Sequence, residues 1–124
     1  MTLPLALVFY EDLIPGSQLV NRLQDSKYRV QVVPKLDELF ECAAHAGPML
    51  IFADLVSKTG DVGAVIRKLR KETSTAHIPV IAFADDTDEK LQAAGREAGA
   101  ALVVADSVIL THLTQFIQQA LQVE

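Results

Sequence analysis

The sequence predicts a doubly wound α/β sandwich, and three observations carry that expectation. Short apolar runs alternate regularly with amphipathic segments along all 124 residues. The runs Leu5 to Tyr10, Met49 to Ala53 and Ile78 to Ala84 are continuously apolar, as strands covered on both faces of a parallel sheet are. All but one of the predicted strands run into acid: Glu11-Asp12, Asp54, Asp85-Asp86 and Asp106. An open α/β sheet places its chemistry at that carboxyl edge.

The elements follow in order. Leu5 to Tyr10 is the first strand, and Pro15 can open a helix whose Leu19, Val20 and Leu23 follow helical spacing. Arg29 to Val33 alternates at first, which suits an edge strand with one wetter face. Lys35 to Ala46 carries Leu36, Leu39, Phe40 and Ala43 on one helical face, and Gly47-Pro48 stops it. After Met49 to Ala53 a loop reaches Asp61, and a helix to about Lys71 turns Val62, Val65, Ile66 and Leu69 inward.

Ile78 to Ala84 is the fourth strand, with Pro79 tolerated near its start. Asp86-Thr87-Asp88-Glu89 resembles a capping box with Asp86 as the cap, opening a helix through Leu91, Ala94 and Ala98 that Gly99 ends. Ala100 to Ala105 is the last strand. Asp106 or Ser107 caps one final helix, in which Leu110, Leu113, Phe116, Ile117, Ala120 and Leu121 form a stripe belonging mostly to the core. Five β-α units of this kind give a parallel sheet with right-handed crossovers, a single domain over residues 1–124 of flavodoxin-like type.

Composition narrows the function. Half of the residues are hydrophobic, which argues against disorder, and no apolar stretch is long enough to cross a bilayer. The N-terminal residues lack the pattern of a signal peptide, and the lone Cys42 allows no internal disulfide, so a cytoplasmic, reducing setting is expected. Cys42 itself reads as apolar filler. A net charge of −5 disfavours nucleic acid as a partner. Arg67, Lys68, Arg70 and Lys71 read as a solvated helix face, and His45, His77 and His112 as surface or packing residues.

The carboxyl rim is the candidate site. Glu11, Asp12 and Asp54 would meet where the strand order reverses, and three oxygen donors there suit Mg²⁺. Such a cation could orient a phosphoryl group toward Asp54 as an aspartyl nucleophile. That chemistry also wants a cationic side chain and a hydroxyl donor for the new negative charge. Asp61, Asp86 and Asp106 sit where helix N-caps are wanted, and capping is expected of them before ligation. There is no Gly-rich phosphate loop after the first strand, no His/Cys metal spacing and no nucleophile-base pair, so an enzyme or cofactor binder is not expected.

With these residues in order, the chain resembles the CheY-like receiver domains of bacterial two-component response regulators over essentially its whole length. Glu11-Asp12 resembles that family's acidic pair, and Asp54 falls on its phosphoacceptor. Asp61 with Gly63 falls where the family often has an Asp-Gly pair. Ile78-Pro79-Val80-Ile81 resembles the fourth strand, and Ala98-Gly99-Ala100 the segment before the fifth. The resemblance implies strand order 2-1-3-4-5, a Mg²⁺ site at Glu11, Asp12 and Asp54, and phosphate delivered to Asp54 by a histidine kinase. It also implies a homodimer or partner face on the fourth helix, fifth strand and fifth helix.

Three departures cut against a working phosphoacceptor. Ala84 stands where the family has Thr or Ser, Val103 where it has the aromatic switch residue, and Asp106-Ser107 where it has Lys-Pro. Asp106 adds a like charge near Asp54, Glu11 and Asp12, and Lys58 is the only nearby ammonium. The expectation is an atypical receiver in signal transduction or a phosphorelay, a pseudo-receiver acting mainly by protein–protein interaction with weak or no phosphorylation at Asp54. Its protein partner would be a histidine kinase or a downstream signalling protein. The alternative is a functional Mg²⁺-dependent phosphoacceptor.

Overall fold

The computed structural model describes residues 3–11 and 13–122 of the chain. Along these the elements are β1 (Leu5–Phe9), α1 (Leu13–Asp25), β2 (Arg29–Val33), α2 (Leu36–Ala46), β3 (Leu50–Asp54) and α3 (Val62–Lys71). They continue as β4 (Val80–Ala84), α4 (Glu89–Ala98), β5 (Leu102–Ala105), α5 (Asp106–Ile109) and α6 (Leu113–Gln122). The five strands form one sheet in the order β2-β1-β3-β4-β5, with every pairing parallel. This is the doubly wound topology expected from the sequence.

Strand alternation divides the core between the two faces. Leu7 and Phe9 of β1, Ile51 and Ala53 of β3, and Val80, Ala82 and Ala84 of β4 pack under α2, α3 and α4. Ala6 and Val8, Leu50 and Phe52, and Ile81 and Phe83 face α1, α5 and α6. Because both faces are covered, the central strands need apolar side chains at every position, which is why their sequences do not alternate. The edge strand β2 is different: only Val33 of its residues is fully buried. Among the described residues no helix is long and apolar enough to cross a membrane.

Two local expectations are corrected. The cap of α4 is Asp88, whose side chain accepts from the Leu91 amide at 3.1 Å, and not Asp86. Asp85 explains the displacement: its Oδ1 accepts from the Thr87 amide at 2.9 Å and the Thr87 hydroxyl at 2.6 Å, an Asx turn that delays the helix. Asp86 is left to bind across the rim. Replacing Asp88 by Ala should therefore cost about 1 kcal/mol in chemical denaturation and increase hydrogen exchange in the first turn of α4. An Asp86→Ala variant should leave that turn protected.

The final helix is also two pieces. Its N-cap is Ala105, with no side-chain cap bond, and Asp106 is the first helical residue and caps nothing. A short α5 gives way at Leu110 before α6 resumes, although the His112 amide still reaches Val108 O at 3.0 Å. Ile109 and Leu113 lie one turn apart and both enter the same core, so the apolar stripe survives the break. Thr111 and His112, exposed and poor helix formers, sit at the interruption.

Smaller differences concern boundaries: α1 starts at Leu13, before Pro15, and β3 ends on Asp54 itself. Gly99 ends α4 as expected, at φ 108° and so close to Arg70 that a Cβ would meet its Cγ at 2.9 Å.

Candidate functional site

The carboxyl rim is built from the strand ends. Asp54 closes β3 beside Phe83 of β4, and Ala84 pairs with Ala105, so Asp54, Ala84 and Asp106 lie along one edge. Asp54 is only 5% exposed, and its Oδ1 accepts from the Val56 amide at 3.0 Å. A carboxylate that deep at a strand end has few structural reasons to be there. Ala84 is fully buried against the α2–α4 face and brings no hydroxyl to the rim. Val103 packs on that same face, beneath α4 at Gly95, where a Cβ would come within 3.2 Å of its Cγ2. This is a small side chain held in a close-packed place, without the ring that could swing between positions.

Glu11 turns to the loop between β3 and α3. Its Oε1 accepts from the Lys58 amide at 2.8 Å, and its Oε2 accepts from the Ser57 hydroxyl at 2.6 Å and the Thr59 hydroxyl at 3.1 Å. The Lys58 amide, then these hydroxyls and the Lys58 charge, hold the Glu11 carboxyl below its ordinary value. The latch therefore strengthens the fold above the ordinary pKa of 4.5 and is lost as the pH falls through the depressed value. The sequence signal for its partners Ser57 and Thr59 is the polar run Ser57-Lys58-Thr59, which begins three residues after Asp54.

The three expected Mg²⁺ donors are thus distributed as follows. Asp54 sits at the rim, Glu11 has both oxygens committed to the loop, and Asp12 lies outside the described residues. Among the described residues no group of three or more His, Cys, Asp and Glu side chains is placed to hold a metal ion. As Glu11 stands, it does not fit a cation; it would have to leave its hydrogen bonds first.

Asp106 carries the strongest electrostatic anomaly. Its Oδ1 is buried with no hydrogen-bond partner among the described residues. Burial, and then the neighbouring Asp85 and Asp86 charges, push its carboxyl above the ordinary value of 3.8. Asp86 meanwhile accepts from the Ser107 amide at 3.2 Å and from the Ser107 hydroxyl, tying the β4–α4 loop to the start of α5. Asp61 does what was expected of it, accepting from the Ala64 amide at 3.3 Å as the N-cap of α3, with Arg67 at 3.8 Å.

The sign of the Asp106 effect follows from its raised pKa. The folded protein holds that proton more tightly than the unfolded chain, so ionised Asp106 opposes folding at neutral pH. The penalty develops as the pH rises from about 3.8 through the raised value, and is complete above it. An Asp106→Asn variant should gain about 1 kcal/mol in urea denaturation at pH 7, because an amide can donate where a bare buried oxygen cannot. The gain should disappear toward pH 4 (comparison of urea midpoints across the range checks it).

No family model matches the sequence, and no curated protein matches it. Solved structures do match its shape. A candidate response regulator of Chloroflexus aurantiacus superposes with a TM-score of 0.89 at 19% identity, over 97% of this chain and 98% of that one. The chemotaxis response regulator CheY4 of Vibrio cholerae gives 0.83 at 17% identity, over 96% and 99%. The BeF₃-activated N-terminal receiver domain of RstA from Klebsiella pneumoniae gives 0.83 at 18% identity, again over 96% and 99%. The sheet order, the close superposition and the buried Asp54 at the end of β3 together establish that this chain has the CheY-like fold of response-regulator receiver domains.

Proposed function

We propose that the chain is an atypical receiver domain that works in signal transduction by binding other proteins, with little or no phosphorylation of Asp54. The observation that carries this is Asp106. A receiver needs a cation at the end of β5, and this chain has a half-buried carboxylate beside Asp85 and Asp86, with an oxygen that has no partner among the described residues. Ala84 supplies no hydroxyl and Val103 no mobile ring, so phosphate on Asp54 would meet repulsion and move nothing. The partner on this reading is a histidine kinase or a downstream signalling protein in the cytoplasm. A surface of α4, β5 and α6 serves for that partner or for a homodimer.

A second reading, a working phosphoacceptor, is favoured by the buried placement of Asp54 and by Lys58 in the adjoining loop. In it Mg²⁺ would be held by Glu11, Asp12 and Asp54 and would neutralise the incoming phosphate. Glu11 must first release Ser57, Lys58 and Thr59. Incubation with Mg²⁺ and acetyl phosphate, read by intact mass, separates the two. The expected result is no adduct above the level of an Asp54→Asn control; an adduct that the control lacks selects the second reading.

A further inference from the structure

A cleft of about 580 Å³ opens at the amino edge of the sheet, the end opposite the acidic rim. Residues just before β3, β4 and β5 form it together with α3, the turn after α3 and the last turn of α6. Apart from Arg70 and His77, its lining residues are apolar. Met49 is 45% exposed and Leu121 39%, two large apolar side chains left open in one place, with Pro79 between strands β3 and β5. A cavity with apolar walls and a few polar groups is typical of small-molecule sites.

Arg70 carries the permanent charge of this cleft. Its side chain lies across Gly99, where a Cβ would come within 2.9 Å of its Cγ, and its Nη1 donates to the Ala76 carbonyl at 3.0 Å. That bond uses one of the five guanidinium N–H donors, and the others have no partner among the described residues. The guanidinium is therefore held in place with donors to spare, which reduces the ordering cost of binding.

The sign of the charge is not offset inside the cleft. Among the described residues no carboxylate lines it, and the exposed His77 is neutral or cationic. Glu72 and Glu97 flank it in sequence, each next to a cation, Lys71 and Arg96, so that these outer charges cancel. The rim acids stand a strand length away, about 16 Å for the five residues of β4, where salt at physiological strength screens them over about 8 Å.

We propose that this cleft binds a small organic acid, a carboxylate carried on an apolar body. The carboxylate takes the remaining N–H groups of Arg70, and the body rests on Met49, Pro79 and Leu121. A guanidinium fork gives a carboxylate two parallel hydrogen bonds, an arrangement that a neutral amide cannot match and an amine opposes. The proposal does not depend on whether Asp54 is phosphorylated.

Titration of the full chain with 3-phenylpropionate, followed by amide NMR, tests it. Saturable shifts are expected at Met49, Arg70, Gly99 and Leu121, and none at Asp54. The matched 3-phenylpropanamide and 3-phenylpropylamine should each bind roughly tenfold or more weakly, since they lose the charge-assisted pair. Arg70→Gln removes the charge and the fork, and Leu121→Glu sets a like charge against the acid. Both positions are exposed, so the fold should tolerate either change. Loss of the saturable shifts in both variants supports the site. Equal binding of the amide or the amine, shifts that persist in either variant, or no saturation at millimolar acid overturns it. So does binding confined to an acidic peptide, which would assign the cleft to a protein partner.

Discussion

An Ala84→Thr/Asp106→Lys variant is expected to acquire phosphate on Asp54 from acetyl phosphate and Mg²⁺, at least about a hundredfold above the native chain. At an effective dielectric of about 20, two unit charges about 4 Å apart interact by roughly 4 kcal/mol. Each ~1.4 kcal/mol is a factor of ten in rate or population. Solvent at the rim reduces that figure, and a hundredfold change is what remains after a generous discount. The threonine adds a hydroxyl from the end of β4, where Ala84 offers none. The lysine removes the buried carboxylate and supplies the missing positive charge.

Intact mass and an Asp54→Asn version of the same variant read the outcome. The single variants locate the effect: Asp106→Lys alone should provide most of the gain, because charge outweighs one hydroxyl. An adduct of equal yield in the native chain would show that Asp106 does not limit the chemistry. No adduct in the double variant, with the fold intact, would place the block elsewhere, and the commitment of Glu11 to Ser57, Lys58 and Thr59 would be the next thing to release.

Phe52→Ala should be among the most destabilising single changes, costing about 4 kcal/mol. Phe52 is fully buried at the middle of β3, paired with Val8 of β1 and Ile81 of β4 and packed beneath α1 and α6. Removing its ring deletes the apolar burial and leaves a cavity bounded by a sheet that cannot collapse into it. For a domain of this size the thermal midpoint should fall by roughly 15 °C, a large share of a stability that is ordinarily about 5–15 kcal/mol. Phe52→Leu should cost much less, about 1–1.5 kcal/mol, because most of the volume stays. Calorimetry on both variants checks the pair; equal losses would mean that the aromatic ring itself, and not the filled volume, is what the site requires.

The polar elements show where sequence reading stops. Asp61 is readable as a cap because it directly precedes the helical spacing of Val62, Val65 and Ile66. In Asp85-Asp86-Thr87-Asp88 there are several acids within one turn, and the capping-box spacing to Glu89 points to Asp86. Thr87 closes on Asp85, which leaves Asp88 to cap α4 and frees Asp86 for Ser107, 21 residues away. Glu11 shows the same limit over a longer reach. Its placement after β1 was plain, but the direction of its side chain is set by Ser57, Lys58 and Thr59, which the fold delivers from 46 to 48 residues away.

By itself the sequence determined the element order, the parallel sheet, the two-faced core and the gathering of acids on one rim. These follow from periodicity and strand ends, which are local properties of the chain. Only the tertiary structure decided which acid caps, which one latches a loop and which one is buried unpaired. It alone also brought Met49, Arg70 and Leu121 together around a cleft. The reason is physical: a carboxylate's role depends on the donors, charges and solvent around it, and those neighbours come from segments that only folding makes adjacent.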